Sequence, residues 1–242
     1  MPMTTDPRYK ELAWDSEHFH CRVAAITDPG LDADALRALL TELRQKGFRL
    51  VYHTPATPLA SDALLQDFDG LMADEKVTFA KDLEATSTIP VDPHIHSYTA
   101  ETVSPELLQL ALDAGLYSRF RVDSHFRNKE YELLYRIWIE RSVRREIAHE
   151  VIVYEDDGHL LGMVTMGEKN GRGDIGLVAV SERARGKGIG KKMMQAAEAD
   201  FHARGYRHIQ VVTQGVNEAA CKLYSAAGFY LDEKIYYYHF WL

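Results

Sequence analysis

Two groups of residues in this 242-residue chain have the types and spacing to do chemistry. The first lies in the run SERARGKGIGKKMM, Ser181 to Met194, where Gly186, Gly188 and Gly190 are interleaved with Arg185, Lys187 and Ile189 and followed by Lys191. Glycines let backbone N–H groups approach an anion, a helix start adds partial positive charge, and the cations add mobile charge; the chemistry is that of holding phosphate. The second group is Asn217 and Tyr224, seven residues apart, close to two helical turns, so one helix face presents both.

Three phosphate motifs compete for the glycine run. A Walker loop needs Gly-Lys followed by Ser or Thr for magnesium, and Gly190-Lys191 is followed by Lys192. A dinucleotide fingerprint starting at Gly186 and Gly188 would need glycine at Lys191 and a parallel βαβ unit, and neither is present in the pattern. R-x-x-G-x-G remains, realised by Arg185, Gly188 and Gly190, leading from a strand into a helix.

The elements that must position these groups are readable on either side. Upstream, EVIVYE, LLGMVTMGE and DIGLVAV are strands joined by DDGH and KNGRG, whose Asp-Gly and Asn-Gly pairs suit hairpins, so an antiparallel meander is predicted. Downstream come the helix GIGKKMMQAAEADFHARG, the strand RHIQVVT, the helix NEAACKLYSAAG and two terminal strands, FYLDE and IYYYHFWL. Before the meander, SPELLQLALDAG has Ser104 as N-cap and Pro105 at the first helical position, and YELLYRIWIERSV carries apolar residues at three-four spacing. Nearer the amino terminus, DADALRALLTELRQKG and SDALLQDF read as helices and RVAAI, FRLVYHT and KVTFAKDL as strands. ATSTIPVDPHIHSY, with two prolines and no helical period, reads as a connection, giving an α/β domain over 1–88 and a second over 95–242.

A formal net charge of −8 argues against bulk nucleic-acid binding, so the basic run is a local exception. No apolar run reaches the roughly 18–20 residues that span a bilayer, and no export signal opens the sequence; a membrane role is not expected and the cytoplasm is. Cys21 and Cys221 are too few for a disulfide framework. His94 and His96 alternate along a strand with no acidic partner at ligand spacing, so no metal is assigned.

A weak repeat links the halves. Gly47, Arg49, Leu65, Gly70, Asp74, Glu75 and Lys76 recur as Gly205, Arg207, Leu223, Gly228, Asp232, Glu233 and Lys234 at one offset of 158. At that offset Gly186, Gly190, Asn217 and Tyr224 fall on Asp28, Asp32, Leu59 and Gln66. Two acids where phosphate would sit repel it, so a first copy would be degenerate and only the second would bind.

IGLVAVSERARGKGIGKKMM, followed after one strand by NEAACKLYSAAGF, resembles the acetyl-CoA signature of the GNAT N-acetyltransferase superfamily. The resemblance implies a mixed, mostly antiparallel sheet flanked by helices, in which the strand before the loop splays from its neighbour. It implies acetyl-CoA as co-substrate, with the pantetheine arm at Val178, Ala179 and Val180 and the pyrophosphate at Arg185, Gly186, Lys187, Gly188, Ile189 and Gly190. Asn217 would contact the cofactor and Tyr224 would protonate the departing thiolate. Glu182 departs from the family, which often has proline there, and affects the turn more than the chemistry. The proton of the attacking amine could pass to Glu168, Asp174, His125 or His149, which the sequence does not rank.

For the acceptor, LYSRFRVDSHF combines aromatic faces that can stack a base with arginine forks that suit phosphate. Together with LAWDSEHFHCRVA and LYRIWIERSV it resembles the dTDP-fucosamine acetyltransferase branch, which acetylates the 4-amino group of a dTDP-4-amino-4,6-dideoxyhexose. That resemblance makes Tyr117, Arg119 and Arg121 candidates for a nucleotide amino-sugar site. Rival readings are an acetyltransferase of protein N-termini or small amines, and a non-catalytic acyl-CoA sensor. Oligomeric state is left open, a homodimer included.

Overall fold

The structure is a computed structural model that describes residues 6–83 and 92–242. In chain order the elements are β1 (Tyr9–Glu11), α1 (Ala13–His18), β2 (Val23–Ile26), α2 (Ala33–Gln45), β3 (Leu50–His53), α3 (Asp62–Asp67) and β4 (Gly70–Asp82). There follow β5 (Ile95–Ser97), α4 (Pro105–Ala114), α5 (Arg119–Val122), α6 (Glu130–Val143), β6 (Glu150–Asp156), β7 (His159–Lys169) and β8 (Arg172–Val180). A 3-10 turn (Glu182–Ala184) leads to α7 (Ile189–Ala203), β9 (His208–Gln214), α8 (Glu218–Ala226) and β10 (Tyr230–Trp241). Among the described residues no helix is long and apolar enough to cross a membrane.

The chain forms two compact units, Met1–Lys76 with Lys234–Leu242, and Val77–Glu233. This differs from the division expected at 88–95. The boundary falls inside β4, and the carboxy-terminal residues return to the first unit because β10 pairs antiparallel with β3, Tyr238 opposite His53 through Trp241 opposite Leu50. Residues 85–91 of the proline-bearing string lie outside the described residues. FYLDE and IYYYHFWL, expected as two strands, form the single strand β10.

In the first unit β2 runs parallel to β3 and antiparallel to β1. Helix α2 buries Leu36, Leu39, Leu40 and Leu43, one stripe at three-four spacing, against Phe48, Val51 and Phe240.

The second unit has the strand order β4-β9-β8-β7-β6-β5. Strands β6, β7 and β8 are the predicted meander. Its turns have positive φ at Asp157 and Gly158 (50° and 75°) and at Asn170 and Gly171 (55° and 77°), as two-residue I′ hairpins require. Ser104 caps α4 by accepting from the Leu107 amide at 3.1 Å, with Pro105 opening the helix. Met193, Met194, Ala197 and Phe201 of α7 pack on one face of the sheet with Val164, Met166 and Ile175. Leu107, Leu110 and Ile139 of α4 and α6 pack on the other with Val151, Met163 and Ala179.

The offset of 158 carries α2 onto 191–203, within α7, and β3 onto 208–211, within β9. Leu36, Leu39 and Leu43 land on Met194, Ala197 and Phe201, all buried. Gly47 and Gly205, just past the two helices, both have positive φ, at 81° and 88°.

His53 in the first unit has no exposed surface, and neither ring nitrogen has a partner among the described residues. Burial, against a smaller opposing pull from Asp28, pushes its pKa down to about 4. Between the ordinary value near ~6.5 and about 4 the unfolded chain binds a proton that the folded chain does not, so stability falls as pH falls through that window. Urea unfolding near neutral pH and near pH ~4.5 is expected to show the wild type losing about 2.5 kcal/mol more than His53→Leu; equal losses would clear His53 of the effect.

Candidate functional site

The glycine run forms a turn between β8 and α7. The 3-10 turn closes with the Arg185 amide on the Glu182 carbonyl at 3.3 Å. Gly186 and Gly188 then adopt φ of 77° and 76°, a left-handed region that side-chain-bearing residues avoid. Gly188 is the N-cap of α7 and supplies no side-chain bond. Among the described residues no acceptor takes the amides of Gly186, Lys187, Gly188, Ile189, Gly190 or Lys191. These donors sit at the positive end of a 15-residue helix, an anion site by geometry. The Ile189 side chain is buried in the core, so that residue offers its amide alone.

The corresponding helix start in the first unit is closed. Asp32 Oδ1 accepts from the Ala35 amide at 2.8 Å and Asp28 Oδ1 from the Gly30 amide at 2.8 Å, so carboxylates occupy the place an anion would take.

The cations near α7 divide into two groups. Arg183 reaches Glu106 at 3.4 Å, Lys192 reaches Asp92 at 2.7 Å, and Arg185 Nε donates to the Val180 carbonyl at 3.3 Å. The Lys192 ammonium, helped by the His94 amide, holds the Asp92 carboxyl well below the usual carboxylate range. Lys187 and Lys191 are exposed and have no ion partner among the described residues, which leaves them for a ligand.

The sheet opens beside this turn. β8 and β9 pair in parallel only from Gly173 opposite Ile209 to Ile175 opposite Val211, although β8 continues to Val180 and β9 to Gln214. On its other edge β8 stays paired with β7 as far as Val180 opposite Gly162. The separation starts at a β-bulge: Gly176 and Leu177 together oppose Thr165, and the Leu177 amide donates to Thr165 Oγ1 at 2.8 Å. Val178, Ala179 and Val180 thus have one edge free of ladder pairing, toward β9.

Tyr224 lies in α8, 3% exposed, with Phe79 and Phe229 rings at 5.8 and 6.2 Å. Burial pushes its phenol pKa upward, so the hydroxyl keeps its proton at neutral pH. Asn217 is not on the helix face expected for it. It is the N-cap of α8, its Oδ1 accepting from the Ala220 amide at 3.2 Å, which leaves the amide nitrogen for other contacts.

Arg119 and Arg121 fall in the short helix α5, and Tyr117 is exposed just before it. The Arg119 guanidinium lies 4.6 Å from the Phe120 ring centre and that of Arg121 5.9 Å from the Tyr131 ring centre. None of the three lines the cavity of about 220 Å³ found beneath α6. That cavity is bounded by Trp138 and Ser142 of α6, Ile147 and Ala148 after it, Thr165 and Gly167 of β7, and Asp174, Gly176 and Leu177 of β8. Sequence reasoning named only Asp174 of this set; the glycine inside DIGLVAV was the available sign of a bulge.

The four candidate proton acceptors are now distinguishable. Glu168 accepts from the Tyr206 hydroxyl at 2.9 Å, and His125 Nδ1 is 2.8 Å from Asp123 Oδ1. His149 lies 3.5 Å from Asp200, its pKa lowered chiefly by burial. Asp174 accepts from Gln210 Nε2 at 2.7 Å and faces the cavity.

Residues 114–229 match the Acetyltransferase (GNAT) family. The chain carries a GNAT acetyltransferase domain. Over 139 residues, 57% of this chain and 59% of the other, it is 34% identical to the dTDP-fucosamine acetyltransferase of Escherichia coli O6:H1 (strain CFT073). It is 23% identical over 135 residues, 56% of this chain and 46% of the other, to the spore coat polysaccharide biosynthesis protein SpsD of Bacillus subtilis (strain 168). The chain thus spans about half the length of these curated relatives. In structure it is similar to a GCN5-related N-acetyltransferase from Sphaerobacter thermophilus, with a TM-score of 0.58 and 18% identity over 96% of this chain and 75% of that one, a likeness of fold. The GNAT domain has the mixed, mostly antiparallel sheet flanked by helices that its sequence suggested.

Thr165 is 4% exposed and fixes the bulge. Replacing it with Val orphans the Leu177 amide and is expected to cost about 1–3 kcal/mol by denaturant unfolding, while Thr165→Ser keeps the acceptor and most of the stability.

Proposed function

We propose that this protein transfers acetyl from acetyl-CoA to the amino group of a nucleotide-linked, dTDP-type 4-amino-4,6-dideoxy sugar. The observation that carries the coenzyme half is the uncapped start of α7 beside the unpaired edge of β8. The amides from Gly186 to Lys191, with Lys187 and Lys191, suit a pyrophosphate, and the open edge of Val178, Ala179 and Val180 suits an extended amide-bearing arm. Arg185 supports the turn through Val180, and Asn217 keeps an N–H donor at the start of α8.

In this reading Tyr224, protonated because it is buried, supplies a proton to the departing sulfur. Support for the acceptor half comes from the named relatives, one acting on dTDP-fucosamine and one in polysaccharide biosynthesis. Tyr117, Arg119 and Arg121 supply the aromatic face and the forked cations that a nucleotide diphosphate needs. The first unit is a degenerate copy of the strand-helix-strand-helix order in the second, its helix start filled by Asp32.

Thiol release from acetyl-CoA against nucleotide 4-amino sugars, peptides and polyamines tests the reaction. Only the sugars are expected to respond; response to peptides alone would overturn the acceptor. Tyr224→Phe is expected to lower kcat by about 100-fold or more with coenzyme affinity nearly unchanged, and an undiminished kcat would remove it as the acid. Gly188→Val, strained at a φ of 76°, is expected to weaken coenzyme binding at least about tenfold by calorimetry.

A further inference from the structure

We propose that Lys81 is a positioning residue for Tyr224: its ammonium, held by Glu198 of α7, takes a carbonyl at the end of α8 and so fixes where the phenol stands. This rests on the assignment of Tyr224 as the acid made above.

Lys81 lies in the part of β4 that belongs to the second unit, as do α7 and α8. Its Nζ donates to Glu198 Oε2 and to the Ala227 carbonyl, both at 2.7 Å. Ala227 is the C-cap of α8. Tyr224 is tied into the same helix end. The Phe229 amide donates to the Tyr224 carbonyl and the Gly228 amide to the Ser225 carbonyl, each at 3.0 Å, with Gly228 at a φ of 85°. These are the two closing bonds of a Schellman cap. The carbonyl that Lys81 takes therefore belongs to the turn that anchors the Tyr224 backbone.

The phenol ring is held from the same strand. Residues two apart on a strand share a face, so Phe79 and Lys81 point the same way. The Phe79 ring centre is 5.8 Å from that of Tyr224, and Lys81 Nζ is 5.6 Å from the centre of the Phe229 ring, which in turn lies 6.2 Å from Tyr224. β4 thus supplies one ring against the phenol and one cation against the helix end.

α8 has nine residues, too few to keep its shape without outside contacts. Its start is capped by Asn217 and its finish is gripped by Lys81. Glu198 gives that grip a reference point. It belongs to α7, whose opening amides suit the pyrophosphate, so the acid is registered against the helix that receives the coenzyme.

The ion pair is not needed for net stability. Glu198 is buried and Lys81 partly so, and the cost of desolvating two charges offsets most of their attraction; apolar side chains of similar volume stabilise such a place as well or better. Apolar side chains offer no donor to the Ala227 carbonyl, and no positive charge to the negative end of the helix. Placement is what a proton donor depends on, since a shift of about 1 Å in a reacting group can cost about 100-fold in rate.

Two full-length variants test this, Lys81→Met and the double variant Lys81→Met with Glu198→Leu. The first leaves Glu198 without its cation, so its urea midpoint is expected to fall, and the double variant is expected to regain most of the loss. In both, with acetyl-CoA and the amine acetylated in the panel above, kcat is expected to drop about tenfold or more while coenzyme affinity by calorimetry stays within about twofold. Hydrogen exchange followed by NMR is expected to quicken about tenfold at the Gly228 and Phe229 amides and to hold at those of Met193 and Met194 in α7. A double variant with wild-type stability, kcat and exchange would overturn the proposal. Faster exchange with kcat intact would overturn it too, while leaving Tyr224 as the acid. If Tyr224→Phe itself keeps full kcat, or the wild type acetylates no amine of the panel, the acid assignment fails and this proposal with it.

Discussion

The site depends on a strand that loses one of its neighbours. Backbone groups inside a sheet are normally paired on both edges, and leaving them open is costly unless something else satisfies them. β8 pairs with β9 for three residue pairs and then parts from it, while its pairing with β7 holds the strand in place. The bulge at Gly176 and Leu177, pinned by Thr165, makes this separation an intrinsic feature of the strand. Downstream features follow from the direction in which β8 then travels: the 3-10 turn, the two left-handed glycines and the exposed amides of α7.

The comparison of the two units shows how little is needed to close such a place. At the offset of 158 the start of α2 falls two residues inside α7. In α7 the cap is glycine and the donors are open; in α2 the cap is Asp32, whose carboxylate turns back on its own helix. At α2 the carboxylate offsets the positive end of the helix, whereas at α7 the amides stay open.

Much of this was legible in the sequence because it is local. Asp157-Gly158 and Asn170-Gly171 specify their hairpins by turn chemistry, Ser104-Pro105 specifies a helix start, and Gly186 and Gly188 announce a backbone no other residue favours. The stripe Leu36, Leu39, Leu40 and Leu43 marks a buried helix face by its period alone. What escaped was tertiary. The cavity draws on α6, β7 and β8, segments with no common period, and Trp138 and Ser142 read simply as helix residues. Asn217 was read as sitting on a helical face when it caps the helix, a difference of one residue that changes what its oxygen does. The unit boundary was placed where proline and small polar residues cluster, whereas packing put it within an unbroken strand.

That division has a bearing on how the molecule is made. The first unit includes Lys234–Leu242, whose strand pairs with β3, so β3 cannot complete its pairing until those later residues have left the ribosome. The unit Val77–Glu233 is contiguous in sequence. The half that emerges first is thus the half that finishes second, and it must remain soluble in the meantime with an unfilled edge beside His53.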